Sequence, residues 1–163
     1  MSQLSPKEIM DGFEASRAKT FVYMAQAIND ELGEERGKQV IRDTVWKMSK
    51  TSGEAARKSY EKRGEANTWE NHRAENGPIY QVAWVGGTVV NEPDLKVVEY
   101  SYCPLGMGFA KLGKEAEELG DIYCGVTDDA FWSGFNPEWR VTRDKSFSID
   151  GLCRLVWRRK ESK

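Results

Sequence analysis

The fold and the candidate site of this chain are decided by residues 100–157, which read YSYCPLGMGFAKLGKEAEELGDIYCGVTDDAFWSGFNPEWRVTRDKSFSIDGLCRLVW. The pattern predicts a strand, a helix, an acidic turn, a strand, a hairpin and a last strand. Cys103 stands before the predicted helix, Cys124 after it and Cys153 on the last strand. Because packing brings the ends of neighbouring elements together, we expect these three thiols to converge on one site.

The residues before this stretch favour helices and then strands. Three helices are predicted, over about residues 6–32, 34–50 and 52–63. Ser5 caps the first helix, which ends at Gly33. Thr51 or Ser52 caps the third helix, which ends at Gly64. Residues 69–78 are predicted as a loop, and residues 79–85 are predicted as a strand that ends in a turn at Gly86-Gly87. A helix is predicted over residues 105–120. Further strands are predicted over residues 96–102, 139–142 and 152–158. The predicted fold class is therefore α+β, with N-terminal helices followed by an antiparallel sheet with one inserted helix. We expect a single domain over residues 1–163, helical over 1–67, with the sheet, the crossing helix and the candidate site over 78–159.

Composition limits the partners and the compartment. The chain has 163 residues, a net charge of −2 and 31% charged residues, which suits one globular domain and gives no broad attraction to nucleic acid or anionic membrane. No apolar run approaches the roughly 20 residues of a membrane span, and the N-terminus lacks the pattern of a secretory signal. We therefore expect a cytoplasmic protein whose cysteines are free thiols or metal ligands rather than disulfides.

Cys103 is predicted to cap a helix whose first residue is Pro104. Backbone N–H groups at a helix start favour the thiolate and would lower the pKa of this thiol. The simpler interpretation is a small buried apolar residue.

Cys124 and Asp128 are four residues apart, so a helix would place the thiol and the carboxylate on one face. A carboxylate beside a bare thiol raises the pKa of the thiol, so Asp128 would help Cys124 through a third partner. His72, the one histidine of the chain, is the candidate for that partner. In its polar segment this imidazole is either simply solvated, a proton carrier or a metal ligand.

Cys153 lies among apolar residues of the last predicted strand, where packing in the core is the simpler interpretation. If the three sulfur atoms meet, they could bind Zn²⁺ together with His72 or Asp128, because Zn²⁺ accepts thiolate, imidazole and carboxylate ligands. The spacing is not that of a zinc finger or ribbon, and no cofactor is required.

Aromatic residues crowd the acidic turn, chiefly Phe131 and Trp132. They could wall a pocket for a small planar ligand. Arg140 and Arg143 could each hold a ligand carboxylate through two hydrogen bonds, although surface charge is the simpler interpretation of both.

Cys103-Pro104, Cys124 followed by Asp128, Asn136-Pro137 and the ending SIDGLC of residues 148–153 together resemble the L-2-amino-thiazoline-4-carboxylic acid hydrolase family. The likeness covers about residues 95–158. It implies opening of a thiazoline ring to an S- or N-carbamoyl cysteine, with Cys124 and Asp128 as the positions to carry over. The same ending is similar to small-molecule-binding domains of the 4-vinyl reductase type, which include aromatic sensors with cysteine-bound zinc.

Two functions follow as hypotheses. The first is a small hydrolase that cleaves a C–N or C–S bond of a heterocycle or amide, with Cys124 as nucleophile or metal ligand and Asp128 handling protons. The second is a non-catalytic module that binds a small aromatic ligand. A structural subunit is a third interpretation, which exposed tryptophans would favour. The expected partners are a small-molecule substrate and, for assembly, further copies of the chain in a homo-oligomer.

Overall fold

A computed structural model describes residues 3–160 of the chain. The elements within this range confirm an α+β fold with leading helices and an antiparallel sheet. In chain order they are α1 (Pro6–Leu32), α2 (Glu34–Arg63), α3 (Trp69–Ala83), β1 (Val85–Asn91), β2 (Leu95–Tyr102), α4 (Pro104–Ala110), α5 (Lys114–Phe135), β3 (Trp139–Lys145), α6 (Phe147–Asp150) and β4 (Cys153–Arg159).

Helix α1 begins as predicted, since Ser5 and Glu8 form a reciprocal capping box and Pro6 occupies the first turn. It ends at Gly33, which has a positive φ of 78°. The predicted break at Thr51 and Ser52 is wrong, because α2 continues without interruption. The Ser52 hydroxyl donates to the carbonyl oxygen of Met48 at 3.1 Å and so acts within the helix instead of capping a new one.

Residues 69–83 form one helix, so the predicted loop over 69–78 and the predicted strand over 79–85 are both wrong. The Thr68 hydroxyl accepts from the backbone N–H of Asn71 at 3.2 Å and starts α3. Trp69 and Ala83 are buried at its two ends. The packing of these two side chains stabilises the helical conformation of residues 69–83, although the polar and β-branched residues of this segment favour other conformations.

The sheet has the strand order β1-β2-β4-β3 and is antiparallel throughout. Its two central strands are predicted correctly, and Tyr100 of β2 pairs with Cys153 of β4. Gly86 and Gly87 lie inside β1 and not in a turn. The Tyr100–Cys153 pair places one of the three thiols directly opposite an aromatic ring on the same face of the sheet.

Two helices, α4 and α5, replace the single inserted helix predicted to end at Gly120. Gly113, with a φ of 98°, separates them. As a result Cys124 and Asp128 lie in the middle of a helix of 22 residues, and the predicted acidic turn does not exist.

Close packing explains why glycines occur inside these long helices. A Cβ at Gly134 of α5 would overlap the carbonyl oxygen of Lys50 and lie 2.8 Å from the backbone nitrogen of Glu54, both in α2. A Cβ at Gly53 of α2 would likewise overlap the carbonyl oxygen of Phe131. The two helices therefore approach each other backbone to backbone.

Gly134→Ala is expected to lower the free energy of unfolding by about 1–3 kcal/mol, because the added methyl group meets backbone atoms that have no room to move. Urea unfolding measures the change. Gly12→Ala is the matched control, since it makes the same change in α1 where a Cβ meets nothing within 4 Å. The control is expected to be neutral or stabilising. Equal stability of the two variants would contradict the close approach of α2 and α5.

Buried side chains form two hydrophobic clusters. The first joins α1, α2, α4 and α5 around Val22, Ile41, Leu105, Phe109 and Leu119. The second fills the space between α5, α3 and the sheet, and it contains the tryptophans Trp69, Trp132, Trp139 and Trp157. Exposed tryptophans would have favoured the interpretation of the chain as a structural subunit. Because these four rings are buried, they do not support that interpretation.

No helix within residues 3–160 is both long enough and apolar enough to cross a membrane.

Candidate functional site

A small cavity lies where α4, α5, β3 and β4 meet, beneath the short helix α6. All three cysteines line it, as predicted, and the residues that matter for its chemistry are Cys103, Cys124, Cys153, Asp121, Arg143 and Phe147. The three thiols are free. Convergence of the sulfur atoms, inferred from the ends of predicted elements, is therefore confirmed.

Helical spacing, strand pairing and a helix N-cap position the side chains of the site. Asp121, Cys124 and Asp128 follow one another on α5 at intervals of three and four residues and so share one stripe of the helix. Cys153 enters the site from β4 through its pairing with Tyr100. Cys103 is the N-cap of α4, and its Sγ accepts from the backbone N–H of Gly106 at 3.4 Å.

Burial keeps these thiols protonated. It raises the pKa of Cys103 despite the backbone N–H groups that face the sulfur, so the lowered pKa predicted for this residue is wrong. Helix α4 has only seven residues, and its short stack of peptide dipoles does not offset the lost hydration of the thiolate. Burial also raises the pKa of Cys153 to about 12.

The pKa of Cys124 is raised most by burial and further by the neighbouring Cys103 and Asp128, while the Arg143 guanidinium opposes the shift. The effect predicted for Asp128 on this thiol therefore has the right sign, with burial as the larger cause. At neutral pH Cys124 is therefore a thiol and not a thiolate.

All three thiols are expected to react slowly with a disulfide reagent at pH 7–8 in the folded protein and rapidly in urea. The reason is that burial raises their pKa values, so thiolate forms in the folded state only at pH values well above those of free cysteine. Stopped-flow absorbance with and without urea measures the two rates. Fast labelling of the folded protein at pH 7 would contradict this description of the thiols.

Asp128 lies one helical turn beyond Cys124 and is partly buried. Burial raises the pKa of its carboxyl group to about 6, against the lowering effect of Arg143. A carboxyl group with this pKa is mostly ionised at pH 7 and can take up a proton at little cost. Asp128 itself does not line the cavity that the three cysteines share.

The surroundings of Asp128 include groups that the sequence did not reveal. Burial raises the pKa of Tyr80 to about 12, and the nearby charge of Asp128 adds to that shift. Burial raises the pKa of Tyr100 as well, with a smaller contribution from Asp128, while Arg73, whose Nη1 donates to the Tyr100 hydroxyl at 3.2 Å, opposes the shift. Only the alternation of β2 hinted at Tyr100, since Tyr80 and Arg73 lie in a helix that the sequence did not predict.

Arg143 brings a positive charge to the cavity from β3. Its Nη2 donates to the carbonyl oxygen of Asp121 at 3.0 Å and lies 3.3 Å from Oδ1 of the same residue. The hydroxyl groups of Ser146 and Ser148 donate to that Oδ1 as well. Asp121, Ser146 and Ser148 were not assigned a role from sequence, and the interval of three residues between Asp121 and Cys124 is the signal that could have found the first.

Arg140 is not brought to the cavity. Its side chain is 67% exposed, and its Nε lies 3.4 Å from Oδ2 of Asp129. Alternation along β3 sends Arg140 to a different face from Val141, which is buried beneath α5. Its predicted contact with a substrate stays a prediction.

His72 lies in α3, away from the thiols. Its ring centroid is 5.5, 5.3 and 5.4 Å from those of Phe131, Trp132 and Phe135. Burial lowers the pKa of His72 to about 4, so the ring is neutral at pH 7. It does not line the cavity, and the structure gives it no contact with Cys124.

Phe131 and Trp132 pack within the second hydrophobic cluster. The Trp132 side chain is only 2% exposed, and Phe131 stacks on Phe135 with 5.7 Å between ring centroids. These rings fill the core instead of forming the wall of an open pocket.

Within residues 3–160, no group of three or more His, Cys, Asp and Glu side chains is arranged to hold a metal ion. The zinc site predicted from three cysteines with His72 or Asp128 is therefore not found in this part of the chain.

The cavity is small. It offers about 30 Å³, which is room for water, whereas pockets that hold small molecules measure roughly 300–1,000 Å³. Phe147 of α6 closes one side, with its ring against Gly106, where an added Cβ would lie 2.9 Å from the ring. A molecule of substrate size therefore does not fit the cavity in this conformation.

A protein-family model described as L-2-amino-thiazoline-4-carboxylic acid hydrolase matches residues 14–151. The match extends from residue 95 towards the N-terminus into α1, α2 and α3, and it ends at residue 151, before Cys153. A search of curated proteins found no match.

Proposed function

Because the chain belongs to the L-2-amino-thiazoline-4-carboxylic acid hydrolase family, we propose that it is a hydrolase that opens a C–N or C–S bond of a small heterocycle or amide at Cys124 and Asp128. One observation carries the proposal. A carboxyl group with a pKa of about 6 stands one helical turn from a thiol that burial keeps protonated, and Arg143 faces both. The family name itself implies a small-molecule substrate with a carboxylate.

The chemistry follows from those protonation states. The Cys124 sulfur forms a bond to the amidine-like carbon of the ring while its proton passes to Asp128. The ring C–S or C–N bond breaks, and the departing heteroatom receives that proton from Asp128. Water then adds to the carbon and gives one proton to Asp128. The C–S bond to Cys124 breaks, Asp128 returns that proton to the Cys124 sulfur, and the product leaves with one water added overall.

Arg143 supports both parts of this reaction. Its charge favours the ionised forms of Cys124 and Asp128, since it lowers the pKa of each. The same guanidinium can hold a substrate carboxylate through two hydrogen bonds. Cys103 and Cys153 complete the wall as neutral thiols.

The proposal also includes the compartment and the assembly. A reducing cytoplasm keeps the three cysteines free, as the site requires. Homo-oligomer formation is part of the same expectation, and sedimentation velocity measures it.

The direct test is to incubate the purified protein with L-2-amino-thiazoline-4-carboxylic acid and to detect carbamoyl cysteine by mass spectrometry. The family substrate is tried first, and small cyclic amides and amidines that carry a carboxylate follow. Turnover of one of these compounds is the expected result. A ligand that raises the melting temperature and is never consumed would instead support a non-catalytic binding module.

A further inference from the structure

The carboxylate of Asp121 lies beside the guanidinium of Arg143, the group that would bind a substrate carboxylate in the proposed reaction. Arg143 donates to the Asp121 carbonyl oxygen at 3.0 Å, and the side-chain Oδ1 lies 3.3 Å from the same Nη2. Both side chains are largely withdrawn from solvent, with 15% of Arg143 and 28% of Asp121 exposed. In this state Arg143 already has an anionic partner.

Asp121 also holds the turn that covers the cavity. Its Oδ1 accepts from the hydroxyl groups of Ser146 and Ser148, the second at 3.0 Å. These serines flank Phe147, whose ring lies against Gly106 at the edge of the cavity. A single carboxylate oxygen therefore joins α5, the Arg143 side chain and the covering turn.

An anionic substrate and Asp121 compete for this position. Two carboxylates within a few ångströms of each other repel, so a ligand carboxylate beside Arg143 and the carboxylate of Asp121 disfavour each other. A ligand carboxylate that reaches Arg143 therefore weakens the hold of Asp121 on Arg143. The serine hydroxyl groups are anchored to the same oxygen, so the turn is loosened by the same event.

We propose that Asp121 competes with a ligand carboxylate for Arg143 and, through its hydrogen bonds to Ser146 and Ser148, keeps the turn over residues 146–148 closed until such a ligand displaces it. This inference rests on the proposed function only for the identity of the ligand as a carboxylate. An uncharged compound of the same size does not displace Asp121 and meets a closed site.

Alkylation of Cys124 tests the inference without any need for turnover. Iodoacetate and iodoacetamide have the same reactive carbon and leaving group, and only iodoacetate carries a carboxylate. Rates at pH 9 are followed by peptide mass spectrometry in the wild type, Asp121→Asn and Ser148→Ala. The control is Asp144→Asn, which removes the same charge from an exposed position on β3 that does not line the cavity.

Asp121→Asn is expected to raise the ratio of the iodoacetate rate to the iodoacetamide rate by roughly tenfold, the size of the effect of losing one partly buried charge contact. The asparagine oxygen still accepts from both serines, so the charge is tested separately from the closure. Ser148→Ala removes one hydrogen bond from the turn and is expected to speed both reagents equally.

An Asp121→Asn ratio equal to that of Asp144→Asn would overturn the inference. That result would leave the proposed function untouched, because hydrolysis is measured separately. Conversely, a chain that hydrolyses no tested compound can still show the predicted ratio of alkylation rates. The two experiments therefore test the proposed hydrolysis and the proposed competition between Asp121 and a ligand carboxylate separately.

Discussion

Asp128→Asn is expected to lower kcat/KM for the hydrolysed substrate by roughly 10²–10⁴-fold, the usual contribution of a positioned base. Asparagine has nearly the same shape and cannot accept the Cys124 proton. The fold should survive and gain stability at pH 7 by about 1–3 kcal/mol, because burial disfavours the charged carboxylate and the amide removes that charge. Steady-state kinetics and urea unfolding measure the two effects.

The pH dependence has a defined sign. The pKa of Asp128 is raised to about 6 from an ordinary value of 3.8, so the ionised, active form is lost as the pH falls through 6. kcat/KM should therefore rise with pH across that value. The stability gained in Asp128→Asn should shrink towards zero below pH 4, where the wild-type carboxyl is protonated in both the folded and the unfolded states. Asp144→Asn serves as the control, and a fully active Asp128→Asn would remove Asp128 from the reaction.

Cys124→Ser is expected to lower kcat by at least about 100-fold, because a hydroxyl group is a much weaker nucleophile than a thiol when its base is a carboxylate. Folding should be unaffected, since serine is slightly smaller and α5 already contains polar residues at this level. Steady-state kinetics and circular dichroism measure both properties.

Cys153→Ser and Cys103→Ser provide matched controls for that variant. Each changes one thiol of the same cavity in the same way, but neither has Asp128 one turn away on its own helix. Both controls are expected to retain most of the activity. Equal losses in all three variants would indicate that the cavity depends on its packing and not on Cys124 as a nucleophile.

Local signals in the sequence predicted the parts of the fold that local chemistry decides. The capping box at Ser5, the strand β2 and the N-cap at Cys103 are each confirmed. The alternation along β2 holds only from Val98 onwards, because Lys96 and Val97 are buried as well. Helices α2 and α5 were cut short because Thr51, Ser52 and Gly120 favour helix ends in isolated peptides. Their continuation depends on close contact between two helices distant in sequence, which no local pattern reports.

The sequence also predicted those features of the candidate site that depend on local structure, and it missed those that depend on tertiary packing. Convergence of the thiols followed from the ends of elements, and the Cys124–Asp128 interval followed from helical geometry. The pKa of Cys103 was predicted in the wrong direction because the depth of burial is decided by tertiary packing. For His72 the polar neighbours in sequence suggested exposure, whereas α3 turns the ring towards Phe131 and Trp132.

In the proposed reaction, Cys124 bonds to the substrate while Asp128 takes the thiol proton. Rapid acid quench during turnover of a compound identified as a substrate, followed by peptide mass spectrometry, tests it most directly. Ring opening loses no fragment, so the account predicts a peptide containing Cys124 that is heavier by one whole substrate molecule. This adduct should be absent from Cys124→Ser. Full turnover by Cys124→Ser, with no adduct on Cys124 in the wild type, would contradict the account.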